Sequence, residues 1–311
     1  MKRNLIALAA MSLLALAQTS ALASTGEVTL SGSTWTGKVD GVTKYTGTSL
    51  AGAGSACASA MTSGGTINIR NSGTVNGNIR IYANTIVNGN NCTLTGNSTA
   101  GIVHAQNVSS VGALNINMAG SDWFGMYFLT CNGQSFSGVN GTSGIAFRID
   151  DCKGGEGYTF SCGSPTLSAG GDNGVETYGI SGVSWSKVTA TDRGACGFLL
   201  NYSTGASGTT VAATRCDYGG GYAGFRCANN NRTSTLTYDN ATSCGRGFFS
   251  VTGSGQATLT RVNATSCSGI GIWLQSTFNT KVSGGTITAC GGGCSAISDD
   301  LGGNTVTVTC R

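Results

Sequence analysis

The chain has 311 residues, of which 51 are glycine, 13 are cysteine, one is proline and only 10% are charged. The formal net charge of +4 excludes a strongly basic nucleic-acid binder, and no long apolar run follows the first 25 residues, so no membrane span is expected there. The polarity comes from Ser, Thr, Asn and Gly, a mixture that favours short strands separated by tight turns.

The first segment has the pattern of a targeting signal. Lys2 and Arg3 precede a mostly apolar stretch, Leu5 to Ala17, and Ala21-Leu22-Ala23 supplies a small-x-small cleavage site. The apolar stretch is too short for a membrane anchor. We therefore predict a signal peptide over residues 1–23, a single domain over 24–311, and a secreted or periplasmic protein in which disulfides are possible.

After a weak helical pattern at Ser49 to Met61, the chain repeats itself with a period of about 23 residues. The segments "TLTYDNATSCGRG" and "TLTRVNATSCSGI" align, and Cys244, Cys267 and Cys290 are each 23 residues apart. A glycine opens each following strand: Gly125, Gly144, Gly174, Gly197, Gly224, Gly247 and Gly271. Short strands repeating in register predict an all-β solenoid, a parallel β-helix in which stacked coils share one core.

The sequence resembles the right-handed parallel β-helix proteins of the pectate-lyase-like superfamily. The resemblance begins at "TSLAGAGSACASAMTSGGTINI" and "SGTVNGNIRIYANTIVNGNNCTLTG", which look like that superfamily's short N-terminal capping helix and first coils. It covers most of Thr25 to Arg311. The resemblance implies a right-handed parallel β-helix. The superfamily includes lyases, glycoside hydrolases, tailspikes and adhesins.

Side chains alternate along strands, so the repeat predicts which residues face outward. Counting from each opening glycine, positions two and four form the core and positions three and five face solvent. The outward residues that carry chemistry are Arg148, Glu176, Tyr178, Asn201, Arg226, Phe249 and Trp273. We expect Glu176 and Arg226, two coils apart, to meet over Leu199, and the aromatic rings to form an exposed platform for sugars.

Inward positions predict packing columns. One column contains Ala190, Ala213, Ala241, Ala264 and Ile287; its neighbour contains Val188, Val211, Asp239, Val262 and Gly285. For Asp239 we expect a bulge or a local hydrogen bond, and for His104 a packed core position. Cys216, Cys244, Cys267 and Cys290 form a further column. Disulfides are expected for Cys290 with Cys294 and for Cys152 with Cys162.

Three classes of function fit this pattern. We favour a polysaccharide lyase that cleaves a uronic-acid polymer by β-elimination, which needs carboxylate neutralisation, a base at C5 and an acid at O4. Arg226 would bind the carboxylate, Tyr178 would act as base or acid, and Glu176 would orient Arg226. Substrate contacts would come from Arg148, Asn201, Phe249, Trp273 and Arg246, with Arg193 extending the positive charge.

The resemblance adds two expectations. Pectate lyases of this superfamily use Ca²⁺ and an arginine as the proposed base, which implies Asp150 and Asp172 as metal ligands and a second role for Arg226. The Asn-Thr-Asp, Gly-His-Gly and Arg-Ile-Lys segments of the polygalacturonases are absent from the sequence. The alternatives are a β-helix glycoside hydrolase using Glu176 with Asp150 or Asp172, and a non-catalytic carbohydrate-binding adhesin. The expected partner is an acidic polysaccharide bound by a monomer.

Overall fold

The computed structural model describes residues 23–97, 99–120, 123–163, 172–217 and 221–311. The predicted signal peptide, apart from its last residue, lies outside the described residues. Among the described helices, none is long and apolar enough to span a membrane.

The described part of the chain forms 27 strands and one helix. Their bounds in chain order are β1 (Ser24–Ser31), β2 (Thr34–Val39), β3 (Val42–Gly47), α1 (Leu50–Ala60), β4 (Gly65–Ile69), β5 (Gly73–Asn76), β6 (Ile79–Ile81), β7 (Thr85–Asn88), β8 (Thr93–Asn97), β9 (Val103–Gln106), β10 (Gly112–Ala119), β11 (Phe124–Leu129), β12 (Asn132–Gly141), β13 (Ile145–Asp150), β14 (Lys153–Cys162), β15 (Val175–Tyr178), β16 (Ser181–Thr191), β17 (Phe198–Asn201), β18 (Ser207–Thr214), β19 (Phe225–Ala228), β20 (Thr235–Thr242), β21 (Phe248–Ser250), β22 (Thr258–Thr260), β23 (Val262–Thr265), β24 (Ile272–Gln275), β25 (Lys281–Thr288), β26 (Ser295–Ser298) and β27 (Thr305–Cys310).

The strands stack as a parallel β-solenoid of about ten turns with coils of roughly 23 residues, which confirms the predicted β-helix. Ten strands form one sheet in the order β26-β24-β21-β19-β17-β15-β13-β11-β9-β6, and seventeen form the other. The larger sheet bends within its long strands: β10 pairs with β7 through Gly112 to Leu114 and with β8 through Asn117 to Ala119.

The N-terminal end is closed by the predicted helix and an antiparallel hairpin. Ser49 caps α1, its hydroxyl accepting a hydrogen bond from the Gly52 amide at 3.0 Å. Strands β1, β2 and β3 pair antiparallel, and β1 also pairs in parallel with β4, so the cap joins the first coil. The helix packs closely enough that a Cβ on Gly37 would lie 2.7 Å from the Ala53 carbonyl oxygen.

Glycine at the predicted corners is required by close approach between coils. A Cβ on Gly197 would lie 2.7 Å from the carbonyl oxygen of Gly224, and one on Gly174 would lie 2.6 Å from that of Gly197. One corner was assigned wrongly. Met126 pairs with Phe147, which makes Ala146 rather than Gly144 the equivalent of Gly125. Ile145, predicted to be buried, is consequently only half-buried.

The core is one continuous apolar cluster along the solenoid. Phe198, Phe225 and Phe248 stack on successive coils with ring centroids 5.5 Å apart, and Trp185 packs edge-on against Phe198 at 4.8 Å. The predicted alanine column is confirmed by the register of β16, β18, β20, β23 and β25. Cys216, Cys244 and Cys267 are buried in their column, and Cys290 is partly buried.

Two predicted disulfides are wrong. Cys294 pairs with Cys310, at a Cα–Cα distance of 5.8 Å, and not with Cys290. Cys152 lies against Cys131 on the preceding coil, where its sulfur accepts a hydrogen bond from the Cys131 amide at 3.3 Å, and Cys162 is free. Cys131 lies on the coil before that of Cys152, and a coil spacing of about 4.8 Å brings such neighbours into the bonding range.

Asp239 is fully buried in the valine column between Val211 and Val262. Within the described residues, neither of its carboxyl oxygens has a hydrogen-bond partner, so the expected local hydrogen bond is not formed. Burial raises the pKa of Asp239 well above its usual value. The folded chain therefore holds this carboxyl protonated, because an unpaired buried carboxylate is strongly disfavoured.

Replacing Asp239 by valine should stabilise the protein. The pKa of Asp239 is raised by folding, so the wild-type free energy of unfolding falls as pH rises above about 4, by up to ~1.4 kcal/mol per pH unit. We expect Asp239→Val to be more stable than wild type at pH 7, with the difference shrinking towards pH 4. Chemical denaturation at several pH values measures this, and Glu156→Val, at an exposed strand position, is the control. A pH-independent difference would contradict the assignment.

Candidate functional site

The outer face of the ten-stranded sheet carries the predicted site. Pairing of its strands places one residue from each coil in a single line, which we call the outer row. In order, the outer row contains Arg80, His104, Tyr127, Arg148, Glu176, Leu199, Arg226, Phe249, Trp273 and Ala296. A parallel row, two residues further along each strand, contains Gln106, Leu129, Asp150, Tyr178, Asn201 and Ala228.

The corrected corner at Ala146 changes two placements within these rows. Arg148 was expected beside Tyr178, but it pairs with Glu176 in the outer row. Asp150 takes the place beside Tyr178 in the parallel row. The consequence is that a guanidinium and two carboxyls come together on two adjacent coils.

Arg148 is the centre of an ionic cluster on the outer face. Its Nε lies 2.6 Å from Asp150 Oδ1, and its Nη1 donates to Glu176 Oε1. The second oxygen of Glu176 accepts from the Asn173 side chain at 2.8 Å, and the second oxygen of Asp150 accepts from the Tyr127 hydroxyl at 3.1 Å. We call these five residues the Arg148 cluster. The side chains of its three charged members are at most 20% exposed.

The two carboxyls of the Arg148 cluster differ in environment. Burial raises the pKa of Asp150, although Arg148 and Tyr127 act against this. Burial and the nearby Asp150 charge raise the pKa of Tyr127 to about 12, so its hydroxyl keeps its proton and donates. Coil spacing and strand rise place the Cα atoms of Asp150 and Glu176 roughly 8 Å apart. Paired carboxyls with different environments are the elements of acid–base chemistry.

The predicted contact between Arg226 and Glu176 is not formed. Its guanidinium lies between two rings, with its Cζ 5.0 Å from the centroid of Tyr222 and 5.1 Å from that of Phe249. Glu176 is instead held by Arg148, which is one coil away from it, whereas Arg226 is two coils away beyond Leu199.

A second cation continues this arrangement. The Arg246 Cζ lies 5.0 Å from the Phe249 ring and 4.8 Å from the Trp273 ring, and its Nη1 donates to the Tyr222 carbonyl at 3.1 Å. Phe249 and Trp273 stack with centroids 5.0 Å apart. The five residues Tyr222, Arg226, Phe249, Arg246 and Trp273 form what we call the arginine–aromatic stack.

Within the described residues, neither Arg226 nor Arg246 forms a salt bridge, and Arg226 Nε is buried without a hydrogen-bond partner. Burial lowers the pKa of Arg246; the charge of Asp217 acts against this, and the like charge of Arg226 adds to it. The stack therefore holds two cations near the carboxyl of Asp217, with an unused donor on Arg226, and this excess of positive charge favours binding of an anion.

The predicted exposed platform is only partly present. Phe249 is 4% exposed, because it packs with Leu199, Ala228 and Val251 into a small apolar cluster on the outside of the sheet. Trp273 is half-buried and donates from Nε1 to Ser298 Oγ at 2.9 Å. The open rings on this face include Tyr222 of the stack, 40% exposed, Tyr178, 39% exposed, and Tyr202, 46% exposed. Tyr178 and Tyr202 pack together with centroids 5.0 Å apart.

The remaining predicted residues fall in different places. Asn201 accepts a hydrogen bond from Asn229 at 2.9 Å and lies beside the open tyrosines. His104 faces outward in the outer row rather than into the core, although it is buried; burial and the Arg80 charge lower its pKa. Arg193 does not extend the groove. It is fully buried, and its guanidinium donates to the carbonyl oxygens of residues 143, 144, 163 and 173.

The described residues do not suit a calcium site. No three Asp, Glu, His or Cys side chains gather as metal ligands in the part of the chain that the structure describes. Both oxygens of Asp150 already contact Arg148 and Tyr127, and Asp172 is exposed. A Ca²⁺ ion needs six to eight oxygen ligands. Calcium therefore stays a prediction from the resemblance, and no chemical step is derived through it.

Sequence reasoning missed three contributors to the site. Tyr127 was placed on the outward face without a role, and its alignment with Arg148 became visible only in the corrected register. Asn173 and Tyr222 lie in turns outside the repeating strands, so strand periodicity could not find them. One sequence signal could have found them. In each case a polar or aromatic residue stands three or four positions before a charged outward residue, as Asn173 does before Glu176.

Comparison with known proteins leaves the family open. No family model matches the sequence, and no curated protein matches it. Solved structures that resemble it include the catalytic domain of a GH87 α-1,3-glucanase in complex with nigerose, at 10% identity and a TM-score of 0.38, covering 84% of this chain and 64% of that domain. The chain thus spans just under two thirds of the glucanase domain's length.

Two further structures are the A-module of the Azotobacter vinelandii mannuronan C-5 epimerase AlgE6 and the Streptococcus pneumoniae surface adhesin PfbA. The first is 12% identical, with a TM-score of 0.33, and covers 84% of this chain and 95% of the module. The second is 8% identical, with a TM-score of 0.30, and covers 84% of this chain and 88% of the adhesin. At these scores the likenesses assign no function, and membership of the pectate-lyase-like superfamily stays a prediction.

Removing Arg148 should destabilise the protein in a pH-dependent manner. Arg148→Met leaves Asp150 and Glu176 close together without their shared cation, which we expect to cost about 3 kcal/mol at pH 8. The carboxyls of the variant can protonate at low pH, so the deficit relative to wild type should shrink at pH 4.5. Chemical denaturation at both pH values measures it.

The matched control is Arg215→Met. Arg215 pairs with Asp192 at 2.5 Å, but its side chain is 49% exposed and screened by solvent, so its loss should destabilise the protein far less than the loss of Arg148. Equal costs for the two variants would show that the Arg148 cluster is an ordinary surface ion pair.

Proposed function

We propose that this protein binds an acidic polysaccharide along the outer row and cleaves it by β-elimination. The observation that carries the proposal is the arginine–aromatic stack, in which, within the part of the chain that the structure describes, neither guanidinium forms a salt bridge and Arg226 Nε is buried without a hydrogen-bond partner. A sugar carboxylate is a planar anion that matches a guanidinium in geometry and charge.

The surroundings of the stack suit a sugar polymer. Tyr178 and Tyr202 offer open aromatic faces two coils and one coil from Arg226. Asn201, the strand neighbour of Tyr178, adds an amide group for sugar hydroxyls. The rows run along the solenoid axis, so an extended chain lying on them would meet aromatic rings, amides and cations in turn. Aromatic faces next to charged groups are the usual elements of sugar recognition.

In the proposed reaction Arg226 holds the uronate carboxylate and neutralises it, which makes the C5 proton more acidic. Tyr178 would act as the base or the acid of the elimination. It is the exposed ionisable side chain of the parallel row that lies nearest to Arg226. The C5 proton leaves to the base, the C4–O4 bond breaks, O4 takes up a proton, and a C4–C5 double bond forms. Glu176 acts indirectly, through Arg148.

A second candidate is glycoside hydrolysis by Asp150 and Glu176. It is favoured by one observation: burial raises the pKa of Asp150, which suits a general acid, while Glu176 lies on the adjacent coil. Glycosidases use two carboxyls about 5–9 Å apart, and here the two carboxyls are held near each other by the guanidinium of Arg148. Hydrolysis would produce reducing ends without a new double bond.

The deciding experiment incubates the purified protein with a panel of polyuronates and neutral glucans. We expect polyuronate cleavage with ultraviolet absorbance from the C4–C5 double bond. Reducing ends without absorbance would support hydrolysis, and binding with neither signal would support an adhesin. No binding to any polyuronate would contradict the proposal. Adding a chelator tests calcium: we expect binding to persist, because the stack supplies cations rather than oxygen ligands.

Arg226 should dominate affinity for the polymer. Arg226→Met should weaken binding at least tenfold, because a hydrogen bond to a charged group is worth about 1.5–3 kcal/mol. Isothermal titration at two salt concentrations measures the affinity, and the salt dependence should fall with the charge removed. Arg261→Met is the matched control, because Arg261 also lies 4.9 Å above a tyrosine ring, that of Tyr238, on the other sheet. Equal losses in both variants would contradict the assigned site.

A further inference from the structure

Six of the free cysteines stand as neighbours on adjacent coils. The backbone amides of Lys153, Gly245 and Gly291 donate at 2.9 Å to the carbonyl oxygens of Cys131, Cys216 and Cys267, respectively. Each of these amides belongs to the residue after a cysteine, so Cys131 faces Cys152, Cys216 faces Cys244, and Cys267 faces Cys290. A coil spacing of about 4.8 Å puts each pair within the Cα range of about 4.4–6.8 Å that a disulfide requires.

The sulfurs of these pairs also contact their neighbours. The Cys131 amide donates to the Cys152 sulfur at 3.3 Å, and the Cys216 amide donates to the Cys244 sulfur at 3.4 Å. In these two pairs the later sulfur therefore lies against the backbone of the earlier cysteine, which brings the side chains together as a disulfide requires.

We propose that these neighbours are disulfide sites: Cys131 with Cys152, Cys216 with Cys244, and Cys267 with Cys290 close as inter-coil bridges when the chain folds in contact with a small-molecule disulfide oxidant. In the column of four, the amide of Cys216 donates to the sulfur of Cys244 at 3.4 Å. This contact favours Cys216 with Cys244, which leaves Cys267 to pair with Cys290.

The chemistry is thiol–disulfide exchange. One cysteine thiolate attacks a sulfur of oxidised glutathione, forms a mixed disulfide and releases one glutathione thiolate. Its neighbour then attacks the mixed disulfide at the protein sulfur, which forms the Cys–Cys bond and releases the second glutathione. Two electrons pass to glutathione, and the two cysteine protons leave with the released thiols.

The three disulfides form during folding and not in the folded chain. Five of the six cysteines are at most 2% exposed, and Cys290 is partly buried. Burial raises the pKa of Cys267 to about 12 and a hydrogen bond from Cys216 raises the pKa of Cys244, whereas a hydrogen bond from Cys152 lowers the pKa of Cys131. Burial of the sulfurs is therefore what keeps the oxidant away from all three pairs once the coils have stacked. Before stacking, the same thiols are open to the oxidant.

Peptide mapping of the wild-type chain tests the proposal. The reduced chain is refolded in a mixture of reduced and oxidised glutathione, free thiols are alkylated in denaturant, and linked peptides are identified by mass spectrometry. We expect the three named pairs besides Cys294 with Cys310, leaving five of the present eleven free cysteines to be alkylated. Alkylation of all eleven, or a Cys244–Cys267 link, would overturn the proposal.

A second measurement does not depend on refolding. The folded chain is held with oxidised glutathione in moderate denaturant, where coils open locally, and sampled over days; the same three links should accumulate. Cys152→Ala should abolish one link and leave Cys131 alkylated. Cys227→Ala, which removes a buried cysteine outside the pairs, should leave all three. Loss of the three links in the Cys227 variant would contradict the proposal, because it would show that they depend on the general order of the chain and not on the register of the paired coils.

Discussion

The structure depends on one constraint: each coil must stack on the next in a fixed register, because no coil can bury its apolar side chains alone. Backbone hydrogen bonds between coils hold this register, and the corner glycines permit it. The carbonyl of Gly224 approaches the position where a Cβ on Gly197 would stand, at 2.7 Å, so any larger residue there would push the coils apart. Every row on the surface and every column in the core follows from this stacking.

Because register governs everything, sequence reasoning succeeded where the repeat is regular. From Gly174 onward each opening glycine is structurally equivalent, and the predicted inward and outward residues are confirmed there. The coil before it broke the pattern. Ala146 occupies the corner that was assigned to Gly144, and a shift of two residues preserves the inward–outward alternation while moving Arg148 and Asp150 to different neighbours. Periodicity alone cannot detect an even-numbered shift, since the side-chain period of a strand is two.

The direction of a side chain was predictable, whereas its partner was not. Arg226 faces outward as expected, but a long side chain can reach several neighbours, and distance and burial determine which of them it contacts. Arg148 stands one coil from Glu176 and takes the carboxylate, and Leu199 fills the space between Glu176 and Arg226 with apolar surface. Arg226 then finds the rings of Tyr222 and Phe249. The burial of Arg193 could not be predicted for a related reason. Its guanidinium is stabilised by the carbonyl oxygens of four residues distant in sequence, which no local sequence pattern records.

The coil spacing also explains why the arginine–aromatic stack forms. Two of its cation-to-ring contacts join adjacent coils, Arg226 to Phe249 at 5.1 Å and Arg246 to Trp273 at 4.8 Å, and both distances are close to the spacing of about 4.8 Å between parallel strands. Side chains on successive coils are thus brought to the separation at which a guanidinium and a ring attract each other. The backbone fixes this arrangement before any ligand arrives, so an anion that reaches Arg226 and Arg246 meets cations whose positions are already set. Little side-chain entropy remains to be lost on binding, which is the physical advantage of building such a site on a solenoid face.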